Sequence, residues 1–537
     1  MSDPEVLVVG AGPVGLTVAG ELVRRGVRVR VVDGASGPAT SSRALATHPR
    51  TLEICHQMEV LDDLLPRGRR VRHFTIHLKG RRLISFDADY SRMPTRFPFS
   101  LMVDQVVVEQ VLRDALRRRG VEVEWGVELT EFDRRAAEVT ARLRHAGGRE
   151  ERVVVPWLVG TDGAHSLVRR TLGIRLLGDA TQTWLNADVV LDVDLPRDSN
   201  HLVHHGKGTL LLVPFPEPGK WRIVDTEDSA HAGEPDVVRN RLADKLSRAL
   251  GRPVEVPPPS WLSVFTVQQR KVERMREGRC FVAGDAAHVH SPASGQGMNT
   301  GIQDGYNLAW KLADVVRGHA GEELLDSYSA ERVPIGEKLL RSTRTATALV
   351  ALRNALALTF MPPGLGMVNA IKPLKGHLER KLIRGFCGLT LSYPESPLSD
   401  PAGDGRFAPG TRVACDGAEE SGSPGWRELC AELTDPRWTL LLHTDDATDP
   451  VPGWATKQFG RAVSVRVVSA TPHGERPLAD PGDVVRRAFG LSGGGYALVR
   501  PDGYLAAKGT YEGTASLAAV LTARHLIPAD ENAGLPA

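Results

Sequence analysis

Residues 5–15 read EVLVVGAGPVG, and they predict the start of a strand–turn–helix unit. An apolar strand precedes Gly10, Gly12 and Gly15, which have the GxGxxG spacing, and a second apolar strand ends at Asp33. Glycines at this spacing make a tight turn and leave bare backbone for a pyrophosphate at the N-terminus of the helix. The stretch therefore predicts a dinucleotide site in which Asp33 binds a ribose hydroxyl.

Two further apolar strands end in an aspartate. RVVVPWLVGTDG (152–163) ends in Asp162 and Gly163, and GRCFVAGDAAH (278–288) contains Gly284 and Asp285. Ligands of open α/β sheets bind at the carboxyl ends of the strands, so we expect these carboxylates near the same ligand. The alternative for each aspartate alone is a helix cap or a turn former.

Composition favours a multidomain globular protein with small-molecule partners. The 537 residues contain 67 Lys and Arg against 65 Asp and Glu, scattered along the chain, which argues against nucleic-acid binding. The five cysteines are widely spaced, and this favours a reducing cytoplasm over a disulfide framework or a zinc site. No export signal or membrane-spanning segment is predicted.

The element pattern predicts an α/β and α+β multidomain fold. A Rossmann-like dinucleotide-binding domain is expected at 1–177, returning with a helical segment at 270–392. Between them, 178–269 reads as an inserted antiparallel-sheet domain for the substrate. A linker rich in Pro, Gly and Asp at 393–410 precedes a domain at 411–537, whose element order resembles thioredoxin without a CxxC.

Taken together, the motifs resemble the single-component FAD-dependent aromatic hydroxylases, also called class A flavoprotein monooxygenases. The matching segments are the glycine motif with Asp33, SRALATHPRTLE (42–53), VDQVVVEQVL (103–112), Asp162-Gly163, and GDAAHVHSPASGQGMNTGIQDGYNLAWKLA (284–313). The resemblance covers about residues 5–392. The thioredoxin-like tail resembles that of the phenol hydroxylase branch, and bacterial polyketide-tailoring hydroxylases share this layout.

The resemblance implies a set of non-covalent FAD contacts. Asp33 would bind the adenosine ribose, Arg43 the pyrophosphate side and Asp285 a ribityl hydroxyl, while Asp162 would also contribute to NAD(P)H binding. The segment 292–299 would lie along the isoalloxazine ring, with Pro292 beside it and the helix N-terminus favouring the anionic reduced flavin. The implied contacts are Gly10, Gly12, Pro13, Gly15, Asp33, Arg43, Gln105, Leu129, Asp162, Gly163, Gly284, Asp285, Pro292, Gly295, Gly297, Met298 and Asn299. Ser291 and Ser294 depart from the usual proline and glycine of this segment.

The family's chemistry is carried by the cofactor. The resemblance implies NADPH or NADH as a transient reductant, O2 as co-substrate, and oxygen transfer from a flavin C4a-hydroperoxide to a phenolic or polycyclic aromatic substrate. A Baeyer–Villiger oxygenase on the same scaffold and a non-catalytic flavin-binding or escort protein stay open as alternatives. We expect no membrane partner and either a monomer or a homodimer.

The sequence does not identify a catalytic base. His48, His73 and Tyr90 are conceivable proton acceptors, but such residues are more often surface or core residues. His288 and His290 are two apart, yet no third ligand is in view, so no metal is predicted. We expect His201, His204 and His205 to lie in a solvated loop. Trp184, Trp221 and Trp261 are candidates for the substrate cavity, with ordinary packing as the alternative.

Overall fold

The structure is a computed structural model of the chain. It describes residues 3–41, 44–78, 80–87, 94–205, 208–227, 229, 233–290, 295–350, 364, 366–371, 373–377, 387–401, 406–415, 417–444, 446–474 and 476–530.

The strands divide into a larger N-terminal set and a smaller C-terminal set. The first set comprises β1 (Val6–Val9), β2 (Val29–Asp33), β3 (Ala46–Thr47), β4 (Arg69–Val71), β5 (His73–Leu78), β6 (Arg81–Asp87), β7 (Ser100–Met102), β8 (Val123–Trp125), β9 (Val127–Arg134), β10 (Val139–His145), β11 (Glu150–Val155), β12 (Trp157–Gly160), β13 (Leu177–Val190), β14 (Ser199–His204), β15 (Thr209–Pro214), β16 (Lys220–Asp225), β17 (Trp261–Lys271), β18 (Arg276–Glu277), β19 (Cys280–Val282) and β20 (His288–Val289). The second comprises β21 (Trp438–His443), β22 (Val463–Ser469), β23 (Pro477–Ala479), β24 (Gly495–Val499) and β25 (Leu505–Thr510).

The helices lie before, between and after groups of these strands. They are α1 (Pro13–Arg24), α2 (Pro49–Gln57), α3 (Leu61–Leu64), α4 (Gln105–Arg118), α5 (Leu167–Thr171), α6 (Pro235–Leu250), α7 (Gly297–Val316), α8 (Asp326–Val350), α9 (Gly417–Gly422), α10 (Pro424–Glu432), α11 (Val451–Phe459), α12 (Val484–Phe489) and α13 (Thr514–Thr522). Among the described residues, none of these helices is long and apolar enough to cross a membrane.

A six-stranded sheet in the order β18-β19-β12-β1-β2-β8 forms the centre of the N-terminal region. All neighbouring strands are parallel except the pair β18 and β19. Every residue of β1 and β12 is buried, as expected for strands covered on both faces. The sheet therefore has the doubly wound form that the sequence predicts, with the carboxyl ends of β1, β2, β12 and β19 at one edge.

Helix α7 packs unusually close to α1, because glycines replace larger side chains at the contact. A Cβ on Gly301 would lie 2.7 Å from Cγ2 of Val14, and one on Gly305 would lie 3.1 Å from the Val14 carbonyl oxygen. Both distances are shorter than ordinary van der Waals contact. The N-terminus of α7 is thereby held next to the glycine turn after β1.

An eight-stranded sheet, β20-β17-β13-β16-β15-β14-β5-β6, forms the second layer. It extends beyond the predicted range 178–269, because residues 73–87 add the hairpin β5–β6 at one edge and β20 pairs with β17 at the other. Side chains alternate between its faces. Helix α6 covers one face through Leu242 and Leu246, which pack against a cluster that includes Trp221.

One expectation about this layer is wrong. His201, His204 and His205 are buried rather than solvated, since β14 continues through His204 in the middle of the sheet. His201 binds the His77 ring at 3.0 Å and the Pro196 carbonyl at 2.8 Å. The pairing of β14 with distant strands buries these histidines, and a local polar pattern does not reveal that pairing.

The C-terminal unit, defined as β21–β25 with α9–α13, contains a five-stranded sheet in the order β23-β22-β21-β24-β25. β21, β22 and β23 run parallel, while β24 and β25 are antiparallel to their neighbours. Helix α11 between β21 and β22 is absent from the sequence prediction. The described part of 393–410 packs against this unit: Leu398 is buried in its core and the Asp400 N–H donates to the Ala506 carbonyl at 2.8 Å.

Candidate functional site

The glycine turn between β1 and α1 has the shape that a pyrophosphate site requires. Gly10 has φ +102°, and a Cβ on Gly15 would lie 1.9 Å from the Gly10 carbonyl oxygen, so the fold itself requires both glycines. Gly12 differs, because a Cβ there would meet no protein atom within 4 Å. Pro13 begins α1, and no side chain caps this N-terminus. The first N–H groups of α1 therefore lack an intrahelical partner next to open space.

Asp33 lies directly beside this turn. Its Oδ2 accepts a hydrogen bond from the Ala11 N–H at 2.7 Å, and its Oδ1 accepts one from the Ala35 N–H at 2.8 Å. These bonds fix the carboxylate at the end of β2. Each carboxylate oxygen has a second lone pair, so Asp33 can also accept from a ribose hydroxyl.

Asp162 follows β12, the other neighbour of β1. Thr161 joins this strand end to the glycine turn, because its hydroxyl donates to the Gly10 carbonyl at 2.9 Å. Asp162 Oδ2 accepts from the Val168 N–H at 3.1 Å, whereas Oδ1 is buried without a hydrogen-bond partner. A buried carboxylate oxygen without a donor is unfavourable, and a ligand donor would satisfy it. Gly163 continues the turn at φ +75°.

Gly284 and Asp285 form a single helical turn, Gly284–Ala286, at the end of β19. Gly284 has φ +63°, and a Cβ there would lie 2.7 Å from Cγ2 of Val14, so the turn depends on glycine. Asp285 is exposed on this turn. The Gly284 N–H donates to Asp304 Oδ2 at 3.2 Å, which ties the turn to α7.

Asp304 is the centre of a buried charge cluster that sequence reasoning missed. Arg332 Nε donates to Asp304 Oδ1 at 2.6 Å, and His288 Nε2 donates to Oδ2 at 2.5 Å. Burial raises the pKa of Asp304, but Arg332 and His288 outweigh this effect and hold the pKa below its ordinary value. The sequence signal for this cluster was Asp304 itself, a charged residue within an otherwise buried helix. His288 is thus a hydrogen-bond partner of Asp304.

The N-terminus of α7 is anchored by Asn299. Its Nδ2 donates to the carbonyls of Ala46 and Gly295, each at 2.8 Å, and its Oδ1 accepts from the His48 N–H at 2.8 Å. Gly297 is the first residue of α7 and Met298, the next, is buried. Asn299 therefore joins the segment entering α7 to β3.

The remaining predicted contacts are less informative. Gln105 begins α4, where its Nε2 donates to Glu109 Oε1 at 2.8 Å. Leu129 is a core residue of β9. Arg43, Pro292, Ser291, Ser294 and Tyr90 lie outside the described residues.

The histidines considered as proton acceptors or metal ligands lie in different parts of the structure. His48 is buried, with Nδ1 3.0 Å from Ser100 Oγ, and its Nε2 would lie 3.6 Å from a Cβ on Gly295, so it borders the segment entering α7. His73 lies at the outer edge of the eight-stranded sheet, 2.9 Å from Asp87. Burial lowers the pKa of His290 to about 3, which keeps this imidazole neutral. Within the described ranges, no group of three or more His, Cys, Asp or Glu is arranged to hold a metal.

The face of the eight-stranded sheet opposite α6 is aromatic. Trp184 and Phe265 lie edge to face with ring centroids 6.2 Å apart, and Phe74, Ile76, Leu202, Leu211 and Val224 complete this cluster. Trp221 points to the other face and packs with the α6 cluster, so of the two interpretations given for it, ordinary packing applies. We call the cluster around Trp184 the aromatic wall.

Polar groups lie on the same face as the aromatic wall. Asp188 and Arg222 form a two-pronged buried ion pair, with both hydrogen bonds at 2.8 Å, and the Arg222 guanidinium lies 4.8 Å from the Trp261 ring centroid. Asn186 stands between Trp184 and Asp188 on β13. Its side chain is buried and Oδ1 has no hydrogen-bond partner. The wall thus has a polar centre flanked by aromatic rings.

The residues present fit FAD. The open space at Gly12 suits a pyrophosphate, Asp33 supplies a ribose acceptor, and Asp162 Oδ1 is a buried acceptor without a donor. These features stand at the carboxyl edge of one parallel sheet, as dinucleotide sites do.

Comparison with known proteins supports this interpretation. A family described as an FAD binding domain matches residues 3–343. The chain is 60% identical, over 99% of its length and 97% of the relative's, to the 6-methylpretetramide 4-monooxygenase of Streptomyces rimosus. It is 30% identical to the aklavinone 12-hydroxylase RdmE of Streptomyces purpurascens, covering 94% of this chain and 96% of that one.

Solved structures give the same result. The anhydrotetracycline hydroxylase OxyS from Streptomyces rimosus superimposes with a TM-score of 0.77 at 29% identity, covering 98% of this chain and all of that one. An aklavinone-11 hydroxylase in complex with FAD and aklavinone gives 0.75 at 27% identity, with 98% and 100% covered. The chain therefore belongs to the FAD-dependent aromatic monooxygenases of class A, enzymes that consume O2 and reducing equivalents from NADPH or NADH.

Proposed function

We propose that this chain hydroxylates a flat polycyclic phenol of aromatic polyketide biosynthesis, of the kind represented by 6-methylpretetramide. The observation that carries the proposal is the aromatic wall with its polar centre. Trp184, Phe265 and Trp261 offer ring faces and edges to a fused aromatic system. Asn186 and the Asp188–Arg222 pair offer hydrogen bonds to its hydroxyl groups.

The wall is connected to the segment that enters α7. A Cβ on Gly295 would lie 3.2 Å from the Ala46 Cβ, and Ala46 packs against a cluster that contains Phe215. Phe215 in turn lies beneath the Arg222 guanidinium, whose carbon is 5.2 Å from the ring centroid. A chain of contacts thus runs from the start of α7 to the polar centre, and this proximity supports a substrate held between them.

The cofactor roles are part of this proposal. Gly12 and the first turn of α1 would hold the FAD pyrophosphate, Asp33 the adenosine ribose and Asp285 the ribityl chain. The N-terminus of α7 would stabilise negative charge on the flavin. Bound FAD would pass electrons from NADPH or NADH to O2 and deliver one oxygen atom of that O2 to the substrate. The chain's own residues orient the phenol on the aromatic wall and exclude water from it.

Three further points extend the proposal beyond the FAD site. The mixed sheet of the C-terminal unit, with α11 joining β21 to the parallel β22, supports a thioredoxin-like fold. None of the five cysteines, all of which are among the described residues, takes part in a disulfide, which fits a reducing cytoplasm. We retain a monomer or a homodimer as the assembly.

The test is turnover of 6-methylpretetramide by the FAD-loaded chain with NADPH and 18O2. One labelled oxygen atom added to an intact ring system supports hydroxylation. Incorporation with conversion of a ketone to a lactone would instead indicate Baeyer–Villiger chemistry. FAD that binds but is not reduced by NADPH, with 6-methylpretetramide or other polycyclic phenols present, would indicate a non-catalytic flavin protein.

Two tryptophans provide a matched control for the wall. Trp184 and Trp221 are both fully buried in the same sheet but face opposite sides. Trp184→Phe should raise KM for the polycyclic phenol, whereas Trp221→Phe should alter stability without changing KM. Equal KM values for the two variants would contradict the assignment of the wall.

A further inference from the structure

The turn between β24 and β25, residues 500–503, is buried although it is a hairpin tip. Arg500 is 1% exposed and Asp502 is 2% exposed. The hairpin belongs to the C-terminal unit, yet its tip contacts α2, α7 and α8 of the FAD-binding region. Arg50 of α2 donates to the Asp502 carbonyl at 2.6 Å, and the Tyr306 hydroxyl donates to the Pro501 carbonyl at 3.3 Å.

Glu331 of α8 receives the main contact from this turn. Arg500 donates to both of its carboxylate oxygens, at 2.6 and 2.9 Å. Lys311 of α7 donates to the same carboxylate at 2.7 Å, and Asn307 at 2.8 Å. Arg500 also binds Asp502 at 2.6 and 2.9 Å. Two cations and two carboxylates thus balance one another where none is exposed to water.

The turn therefore docks on one stripe of α7. Asn307 and Lys311 are four residues apart, and Asp304 lies one turn nearer the N-terminus of the same helix. Asn307 also donates to Asp502 at 3.2 Å. A different side of α7 packs on α1 through Gly301 and Gly305. The helix is consequently held between α1 and the C-terminal turn.

The position of α7 determines the geometry of the cofactor loop. Asp304 binds the Gly284 N–H and His288, and these residues flank Asp285 on the chain. Arg332, which holds Asp304, is the residue after Glu331 on α8. A displacement of Glu331 would therefore be transmitted to Arg332, Asp304 and the turn that carries Asp285.

Removal of Arg500 would have a specific electrostatic cost. Glu331 would keep Lys311 but lose both hydrogen bonds from Arg500, and Asp502 would lose the donor to its two carboxylate oxygens, with Arg50 left on its carbonyl. A buried carboxylate that loses its partner is strongly unfavourable. Entry of water or a shift of α7 would have to compensate for the lost hydrogen bonds and charge pairing. Burial lowers the pKa of Lys311 to about 8, with Glu331 opposing this shift and Arg500 adding to it.

We infer that Arg500 is a positioning residue through which the C-terminal unit sets the affinity of the FAD site, by fixing α7 and the Gly284–Asp285 turn. The inference rests on the cofactor roles proposed above. It assigns the C-terminal unit a part in cofactor binding, although none of its residues is among the expected FAD contacts.

The experiment compares FAD binding to the apoproteins of two variants. Arg500→Met breaks the link to Glu331 and keeps a long apolar side chain. Arg466→Met is the matched control, because Arg466 pairs with the buried Glu432 entirely within the C-terminal unit. Both variants should lower the melting temperature, since each takes one cation away from a buried carboxylate. The dissociation constant of FAD is measured by titration with flavin fluorescence.

We expect Arg500→Met to weaken FAD binding about tenfold or more, as is typical of coupling between distant sites. Arg466→Met should bind FAD as the wild type does. Arg500→Lys, which keeps the charge, should recover part of the affinity. Asp502→Asn serves as a second variant should Arg500→Met not fold, and it should weaken FAD binding in the same direction.

Two results would overturn the inference. One is wild-type FAD affinity in the folded Arg500 and Asp502 variants. The other is an equal loss of affinity in Arg466→Met, which would show that general destabilisation is the cause. Neither readout requires turnover of a substrate, so failure of the proposed hydroxylation would be recognised separately.

Discussion

Substitution of Gly12 separates cofactor binding from folding. The Gly12 backbone has φ −72° and ψ −177°, an extended conformation that alanine adopts without strain. A Cβ there would meet no protein atom within 4 Å. Gly12→Ala should therefore leave the apoprotein as stable as the wild type or stabilise it by about 0.4–1 kcal/mol, because alanine restricts the unfolded chain.

The same methyl group would occupy the space assigned to the FAD pyrophosphate. If it prevents one hydrogen bond to the charged phosphate, the loss is about 1.5–3 kcal/mol. This corresponds to a dissociation constant for FAD that is roughly 10- to 150-fold higher. Thermal unfolding of the apoprotein and a fluorescence titration with FAD measure the two effects independently.

Gly15→Ala is the contrasting control. Its Cβ would lie 1.9 Å from the Gly10 carbonyl oxygen, so this variant should destabilise the apoprotein itself. Wild-type FAD affinity in Gly12→Ala would refute the assignment of this space to the pyrophosphate. A loss of apoprotein stability in Gly12→Ala would refute the steric reasoning.

Three other variants test the site and the sheet. Asp285→Ala removes an exposed side chain, so the free energy of unfolding should change by no more than about 0.5 kcal/mol while FAD binds more weakly. Full flavin occupancy after gel filtration would contradict the role of Asp285 in binding the ribityl chain. Asn186→Leu removes a buried oxygen without a hydrogen-bond partner, so the free energy of unfolding should not fall, while KM for the polycyclic phenol should rise about tenfold. An unchanged KM would show that this amide does not contact the substrate. Burial, with His201 and Arg82 nearby, lowers the pKa of His77 from 6.5 to about 4. Between these two pH values the unfolded chain binds more protons than the folded chain, so the free energy of unfolding should fall as the pH drops through this window. His77→Gln should flatten the dependence of urea unfolding on pH there, and an unaltered profile would exclude His77 as its source.

Local sequence patterns were sufficient to predict the glycine turn after β1 and the position of Asp33. The spacing of Gly10, Gly12 and Gly15 between a strand and a helix depends on neighbours in sequence, and so does the position of Asp33 at the next strand end. The family resemblance rested on the same kind of short motif. Family membership and the FAD-dependent monooxygenase class are confirmed by the comparisons, while the individual FAD contacts remain predictions.

Pairing between distant segments is what the sequence did not reveal. His201 was expected in a solvated loop because its neighbours are polar, but β14 pairs in parallel with β5, more than a hundred residues earlier. The opposite directions of Trp184 and Trp221 follow from strand register, which a short aromatic pattern does not specify. Arg500 appeared as part of an ordinary hairpin turn, and only the packing of that hairpin on α7 gives it a partner in Glu331.

The parallel sheet also has a consequence for synthesis of the chain. Its central strands come from widely separated segments, since Val8 pairs with Val159 and Val159 pairs with Phe281. Proteins dominated by such non-local contacts fold slowly, and on the ribosome the N-terminal strands emerge long before their partners. A nascent chain that ends before Cys280 would present β12, an entirely apolar buried strand, with one edge unpaired. Such an edge is a template for aggregation, so we expect the FAD-binding region to be most prone to aggregation before β19 has emerged.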